Sequence, residues 1–288
     1  MENVITISNV NKQFKGFHLK DLSFSVKKGF ITGFIGPNGS GKTTTIKLIM
    51  NLLKEDSGNI QLFGLNHENH TKEIKERIGF VYADHHFYEI LTTNQMKEII
   101  APFYKNWSEK DFKRYMNDFN LPLNKKIKKL SSGMKMKFAI AIALSHQADL
   151  IIMDEPTSGL DPIARREILD LFKDIIQDEE KTIFFSTHIT SDLEHIADYI
   201  TFIHDGEILL NNEKDMLLEK YKIIRGAKKY LDEHTRQLFL GIRETDAGFE
   251  GLVNDEKTIR ELLGPQVIYD RVSLEDIMYY TTRRGQYV

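Results

Sequence analysis

The run Gly36-Pro-Asn-Gly-Ser-Gly41-Lys42-Thr43 has the spacing G-x-x-x-x-G-K-[ST], a pattern whose residue types can hold a polyphosphate. Gly36, Gly39 and Gly41 let the backbone curl so that successive N–H groups point into one hollow. Asn38, Ser40 and Thr44 belong to the same binding stretch. A helix opening near Lys42 would add its positive end, so an anion is held without bulky side chains. Lys42 would reach the β- and γ-phosphates of a nucleotide, and the Thr43 hydroxyl would ligate Mg²⁺. The competing reading is a glycine turn that fits by accident. A chance match in a chain of this length is about one in a hundred from average residue usage, and a strand before with a helix after lowers it further.

A second cluster follows in Leu150-Ile-Ile-Met-Asp154-Glu155-Pro156. An apolar strand delivers Asp154 rigidly, and there it can hold Mg²⁺ through the ion's water shell. Glu155 lies one residue further on and is the better general base, able to orient a water in line with a γ-phosphate. Taken alone the two acids are a polar loop after a strand. Coupled to the phosphate loop they read as the acids of an ATP-hydrolysing site.

The elements that must position these residues are legible in outline. Residues 4–10, 19–26, 30–35 and 79–82 read as strands, and the spacing of Ile46, Ile49, Met50 and Leu53 predicts a helix over 43–53. Residues 91–144 read as mostly helical, with breaks near Pro122 and at Ser131-Ser132-Gly133. Residues 150–153 and 182–186 are continuous apolar or β-branched runs, the pattern of strands buried on both faces of a parallel sheet. A helix over 162–176 separates them, and Asp205-Gly206 marks a tight hairpin. This alternation is an α/β domain over residues 1–215 with an inserted helical subdomain at about 84–147. After residue 216 the character changes to a small α+β unit spanning 216–288. There a helix is expected over 227–234, a hairpin over 238–253, and a helix capped by Asn254 through 263. A strand over 266–269 and a capping box at Ser273-Leu-Glu-Asp276 complete it.

Bulk properties narrow the function classes. A net charge of -3 over 288 residues argues against nucleic acid as the main partner. The absence of cysteine removes disulfides and thiolate metal sites and suits a reducing cytosol. No run approaches eighteen apolar residues, and the first residues are neither basic nor followed by an apolar stretch, so neither a membrane span nor a signal peptide is expected.

In residues and order, these motifs resemble the nucleotide-binding subunits of ABC transporters over roughly residues 3–215. The resemblance implies a P-loop NTPase core with an antiparallel β subdomain. It implies that His188, in Ser186-Thr187-His188, contacts the γ-phosphate, and that Ser158-Gly-Leu-Asp161 passes information between the two sites of a dimer. Phe14 falls where the family stacks an aromatic ring on adenine, although alone it reads as ordinary core. Leu130-Ser131-Ser132-Gly133-Met134 resembles the family's Leu-Ser-Gly-Gly-Gln segment. Ser131 and Gly133 match and Ser132 and Met134 do not. That segment closes over the nucleotide of the opposite subunit, which implies a head-to-tail pair. Ala83 stands where the family places a glutamine or glutamate, and Asp84 is a possible metal-contacting substitute from the next position.

Within the family, Leu91-Thr92 and the stretch Tyr104-Lys-Asn-Trp107-Ser-Glu resemble ATPases of the ABC-2 exporter type of Gram-positive bacteria, which serve antibiotic resistance or toxic-peptide export. That resemblance implies a transmembrane permease on a separate chain, and a location at the cytoplasmic side of the plasma membrane held through that permease. The alternative is a soluble ABC ATPase acting in DNA repair or translation. The long coiled coils, zinc modules and fused second cassettes of those proteins are absent from the sequence.

Overall fold

The computed structural model describes residues 2–82 and 87–282, and the chain divides into two compact units, 1–211 and 212–288. The first unit begins with β1 (Asn3–Phe14), β2 (Phe17–Lys27) and β3 (Ile31–Ile35), followed by α1 (Lys42–Ile49). Next come β4 (Ser57–Leu62), β5 (Leu65–Asn66), α2 (Thr71–Glu76) and β6 (Ile78–Val81). The helices α3 (Thr93–Ile100), α4 (Glu109–Asp118) and α5 (Ser132–Leu144) form the insertion. The core resumes with β7 (Leu150–Asp154), α6 (Pro162–Ile175), β8 (Thr182–Thr187) and α7 (Thr190–Ile196). It closes with β9 (Tyr199–His204) and β10 (Glu207–Glu213).

Two sheets share this unit. One has the order β2-β1-β4-β5 and is antiparallel; the other has the order β10-β9-β3-β8-β7-β6. In the second, β9, β3, β8, β7 and β6 run parallel to one another, and every residue of β3, β7 and β8 is buried. Phe24 of the first sheet stacks on Phe34 and Phe184 of the second, with ring centroids 5.5 and 6.1 Å apart. That aromatic layer joins the two sheets in one core. The register Ile35↔Thr187 and Asp154↔Ser186 brings the carboxyl ends of β3, β8 and β7 side by side. Ligands of open parallel sheets bind at that edge.

The insertion has its own core of Met96, Phe112, Met116, Leu121, Ile127 and Phe138. Thr92 and Gln95 cap α3 reciprocally, and Ser108 caps α4. Trp107 packs 5.6 Å from the Phe112 ring. The α1 helix stops at Ile49, short of the expected 53, because Asn51 adopts a left-handed φ of 49° that ends it. At Asp205-Gly206 both residues have positive φ, 46° and 78°, as a two-residue hairpin requires.

The second unit contains α8 (Lys214–Lys220), β11 (Lys222–Gly226), α9 (Glu233–Arg236), β12 (Gly241–Thr245) and β13 (Gly248–Val253). It ends with α10 (Glu256–Leu263), β14 (Ile268–Asp270) and α11 (Leu274–Thr282). Its antiparallel sheet has the order β12-β13-β11-β14 around a core that includes Ile224, Phe239, Val253 and Ile259. Two expectations need correction here. The helix expected over 227–234 is only a 3₁₀ turn, Lys228–Tyr230, followed by the four-residue α9. Asp232 is the reason, since its extended backbone and carboxylate, accepting from the Thr235 N–H, start a new helix. Asp255, rather than Asn254, caps α10 by accepting from the Thr258 N–H. Among the described residues no helix is long and apolar enough to cross a membrane.

Candidate functional site

The phosphate loop leaves β3 at Ile35 and enters α1 at Lys42. Its glycines are required by space as well as by conformation. A Cβ on Gly36 would lie 2.3 Å from the Ile203 carbonyl oxygen. Gly41 has φ +111°, and a Cβ there would meet the Leu19 side chain at 2.5 Å. The Ser40 hydroxyl is buried and makes no hydrogen bond. An orphaned buried hydroxyl and a cradle that a side chain would fill are features a polyphosphate fits.

Lys42 is 6% exposed, and its ammonium donates to the carbonyls of Gly36 (2.8 Å) and Pro37 (3.3 Å). It also lies 3.2 Å from the Glu155 carboxylate. The other oxygen of that carboxylate is 2.8 Å from Nδ1 of His188. Lys42 at the start of α1, Glu155 just past β7 and His188 just past β8 therefore form one continuous chain of contacts. They line a hollow of about 320 Å³ together with Phe17, Asn38, Gly39, Gly41, Thr43, Thr44 and Ser158. The Thr43 hydroxyl is on the exposed side of the first turn of α1.

Asp154 does not line the hollow. It is 5% exposed and accepts the Ser186 hydroxyl at 2.5 Å, while the same hydroxyl oxygen accepts the Glu155 N–H at 3.0 Å. Glu155 has φ 49°, a left-handed conformation that is uncommon for a residue with a Cβ. Burial, with a smaller contribution from the Asp154 charge, pushes the Tyr82 phenol up at the end of β6.

The other residues read from the sequence lie elsewhere. Phe14 is at the β1–β2 turn, 37% exposed, with the Lys12 ammonium 5.8 Å from its ring, and the aromatic residue that lines the hollow is Phe17. The signal for Phe17 was its place at the turn, just ahead of the partly alternating strand from Leu19. Ser131 caps α5, accepting from the Met134 N–H at 3.2 Å, and does not reach the hollow of its own chain. Gly133 permits a close approach to α6, since a Cβ there would be 2.9 Å from that of Ala164. Ala83 and Asp84 fall outside the described residues.

Comparison with known proteins gives the same answer from another direction. The ABC transporter family model matches residues 19–158. The bacitracin transport ATP-binding protein BcrA of Bacillus licheniformis is 37% identical over 212 residues, 73% of this chain and 69% of that one. The lantibiotic transport ATP-binding protein SrtF of Streptococcus pyogenes is 34% identical over 218 residues, 74% of this chain and 92% of that one. Among solved structures, the dimeric ATP-binding cassette MJ0796 in a post-hydrolysis state with ADP and Pi is similar. It superimposes with a TM-score of 0.64 at 25% identity, covering 73% of this chain and 98% of that one. These relatives are transport ATPases, which favours the transporter reading over a repair or translation factor. With a phosphate loop, two acids and a histidine converging at one sheet edge, and with these relatives, the chain belongs to the ABC transporter ATP-binding family and is an ATPase subunit of that kind.

Proposed function

We propose that this subunit hydrolyses ATP with Glu155 as general base, paired head-to-tail with a second ATPase subunit. The pair drives export of a peptide, toxin or drug through a permease on a separate chain. The observation that carries the reading is the continuous contact Lys42–Glu155–His188 within the hollow of the phosphate loop.

The chemistry follows from that contact. Incoming phosphates meet the N–H groups of residues 38–43, and Lys42 exchanges the Gly36 and Pro37 carbonyls and Glu155 for β- and γ-phosphate oxygens. Glu155 is then free to accept a proton from water while its second oxygen stays on His188. His188 holds that carboxylate in orientation and lies at the same wall of the hollow, within reach of the γ-phosphate. Thr43 would ligate Mg²⁺ through its hydroxyl, and Asp154, which lies behind the hollow on Ser186, would hold the ion through its water shell; both are hard oxygen donors that suit it. When bound, Mg²⁺ would neutralise charge on the β- and γ-oxygens. Ser131 and Gly133, at the start of α5, are assigned to the nucleotide of the opposite subunit, and Phe14 to its own adenine.

Two further features support a membrane partner and its cargo. Tyr88, Ile90, Ile99 and Phe103 are exposed large hydrophobic residues within one short stretch of sequence in the insertion, and we assign the permease contact to that stretch. Docking there would hold the subunit at the cytoplasmic face of the plasma membrane. The relatives are named for bacitracin and lantibiotic transport, so amphiphilic peptide antibiotics are the first substrates to try. The test is Glu155→Gln. It should retain ATP binding, lower turnover by about two to four orders of magnitude, and accumulate an ATP-bound dimer on size exclusion. Turnover at the wild-type rate would remove Glu155 from the mechanism.

A further inference from the structure

The loop after β7 has to hold a strained residue in place. Glu155 has φ 49°, and such a conformation persists only where its surroundings over-determine it. One tether is the Ser186 hydroxyl under the Glu155 N–H. A second is two residues further on. Thr157 is 1% exposed, and its hydroxyl donates to the Asp192 carboxylate at 2.6 Å. Asp192 is fully buried. A buried carboxylate is costly unless paired and hydrogen-bonded, and its other oxygen takes the Arg165 guanidinium of α6 at 2.5 Å. Arg165 is fixed in turn by the Ser191 hydroxyl at 2.8 Å.

The anchor of this network is itself rigid. Asp192 lies in the first turn of α7, the helix that opens just after His188. The neighbouring Leu193 packs onto Gly33 of β3, where even a Cβ would come within 2.1 Å of it. The helix is thereby pinned to the central strand that also leads into the phosphate loop. Asp192 thus ties three segments together: the loop bearing Glu155, the helix following His188, and α6.

We propose that Asp192, acting through Thr157, is a positioning residue that sets the distance between Glu155 and His188. It touches neither nucleotide nor water. Its work is to keep the Glu155 loop in register with the His188 end of β8, where a displacement of about an ångström can cost on the order of 100-fold in rate. The proposal rests on the reading of Glu155 as the general base.

Thr157→Val removes the hydroxyl at nearly constant volume and leaves the Asp192–Arg165 pair intact. In the full-length chain we expect kcat to fall about tenfold or more, with ATP affinity, from titration of a fluorescent ATP analogue, close to wild type. The melting temperature should fall as well, since one oxygen of the buried Asp192 loses its donor, and the rate is therefore read well below it. Thr157→Ser, which restores the donor, should recover most of the rate. Introduced into Glu155→Gln, the valine should change the residual rate little, because its effect passes through Glu155. A Thr157→Val enzyme with wild-type kcat overturns the proposal, as does a kcat loss that is equally large in the Glu155→Gln background. If Glu155→Gln itself turns over normally, it is the general-base reading that fails, a different result from failure of the tether alone.

Discussion

His146 should make the first unit acid-sensitive over a defined pH range. It follows α5, is 1% exposed, and stacks on Tyr104 with ring centroids 3.8 Å apart and planes 11° from parallel. Burial is the main cause that lowers its pKa from the usual 6.5 to about 4; the Lys181 charge adds to this, and the Glu76 backbone opposes it. The folded protein therefore keeps this ring neutral while the unfolded chain protonates it below pH 6.5. Its contribution to stability is complete above that value and is lost as pH falls towards 4. At about 1.4 kcal/mol per pH unit the whole interval is worth about 3 kcal/mol, of which about 2 kcal/mol disappears between pH 7 and pH 5. Urea unfolding followed by the fluorescence of Trp107, the single tryptophan, reports on this unit. His146→Phe keeps an aromatic ring against Tyr104 but cannot titrate. Wild type should lose about 2 kcal/mol more than this variant between pH 7 and pH 5, and the contributions of the other histidines cancel in the difference. Parallel pH profiles for the two proteins would refute the reasoning.

Two further outcomes are expected at the nucleotide site. Gly41→Ala should abolish binding of a fluorescent ATP analogue, because the methyl group meets Leu19 at 2.5 Å in a backbone of φ +111° that alanine resists. Phe14→Ala should weaken ATP binding by about 1 kcal/mol, the scale of one aromatic contact, with little change in melting temperature, since the ring is already 37% exposed. Unchanged affinity in Phe14→Ala would move adenine stacking to Phe17.

What the sequence reveals and what it hides follow one physical division. The strands β3, β7 and β8 are legible because each is a short, largely apolar or β-branched run that leads into polar residues of distinctive type. By contrast β4 presents only Ile60 and Leu62 to the core, too few for a period to register. The helices α2 and α7 are a turn or two long. The place of α7 is decided by the packing of Leu193 on Gly33, a contact between residues far apart in the chain. Asp192 reads as one more surface acid, four residues after His188, until the fold buries it against Thr157 and Arg165. The expected helix over 227–234 fails for a local reason that is also easy to overlook, since Asp232 is a better cap than a helix interior residue.

The strain at Glu155 has a simple geometric origin. Along an extended strand, neighbouring side chains point to opposite faces of the sheet. Asp154 is the last residue of β7 and sits buried against Ser186. Were the chain to continue extended, the next carboxylate would be directed away from the face that Asp154 serves. The turn to φ 49° redirects it, and Glu155 instead reaches both Lys42 and His188. Glycine would adopt that backbone without strain, but glycine has no carboxylate. The position therefore costs on the order of 1 kcal/mol in strain, which the rest of the loop must offset. Ser186 does so by serving two adjacent residues at once, donating to the Asp154 carboxylate and accepting the Glu155 N–H. The Thr157–Asp192 contact restrains the loop from its far side. Two acids adjacent in sequence can therefore take up different duties at one site, one buried beneath the sheet edge and one facing the hollow, because a single left-handed residue turns the second back from the direction that an extended chain would give it.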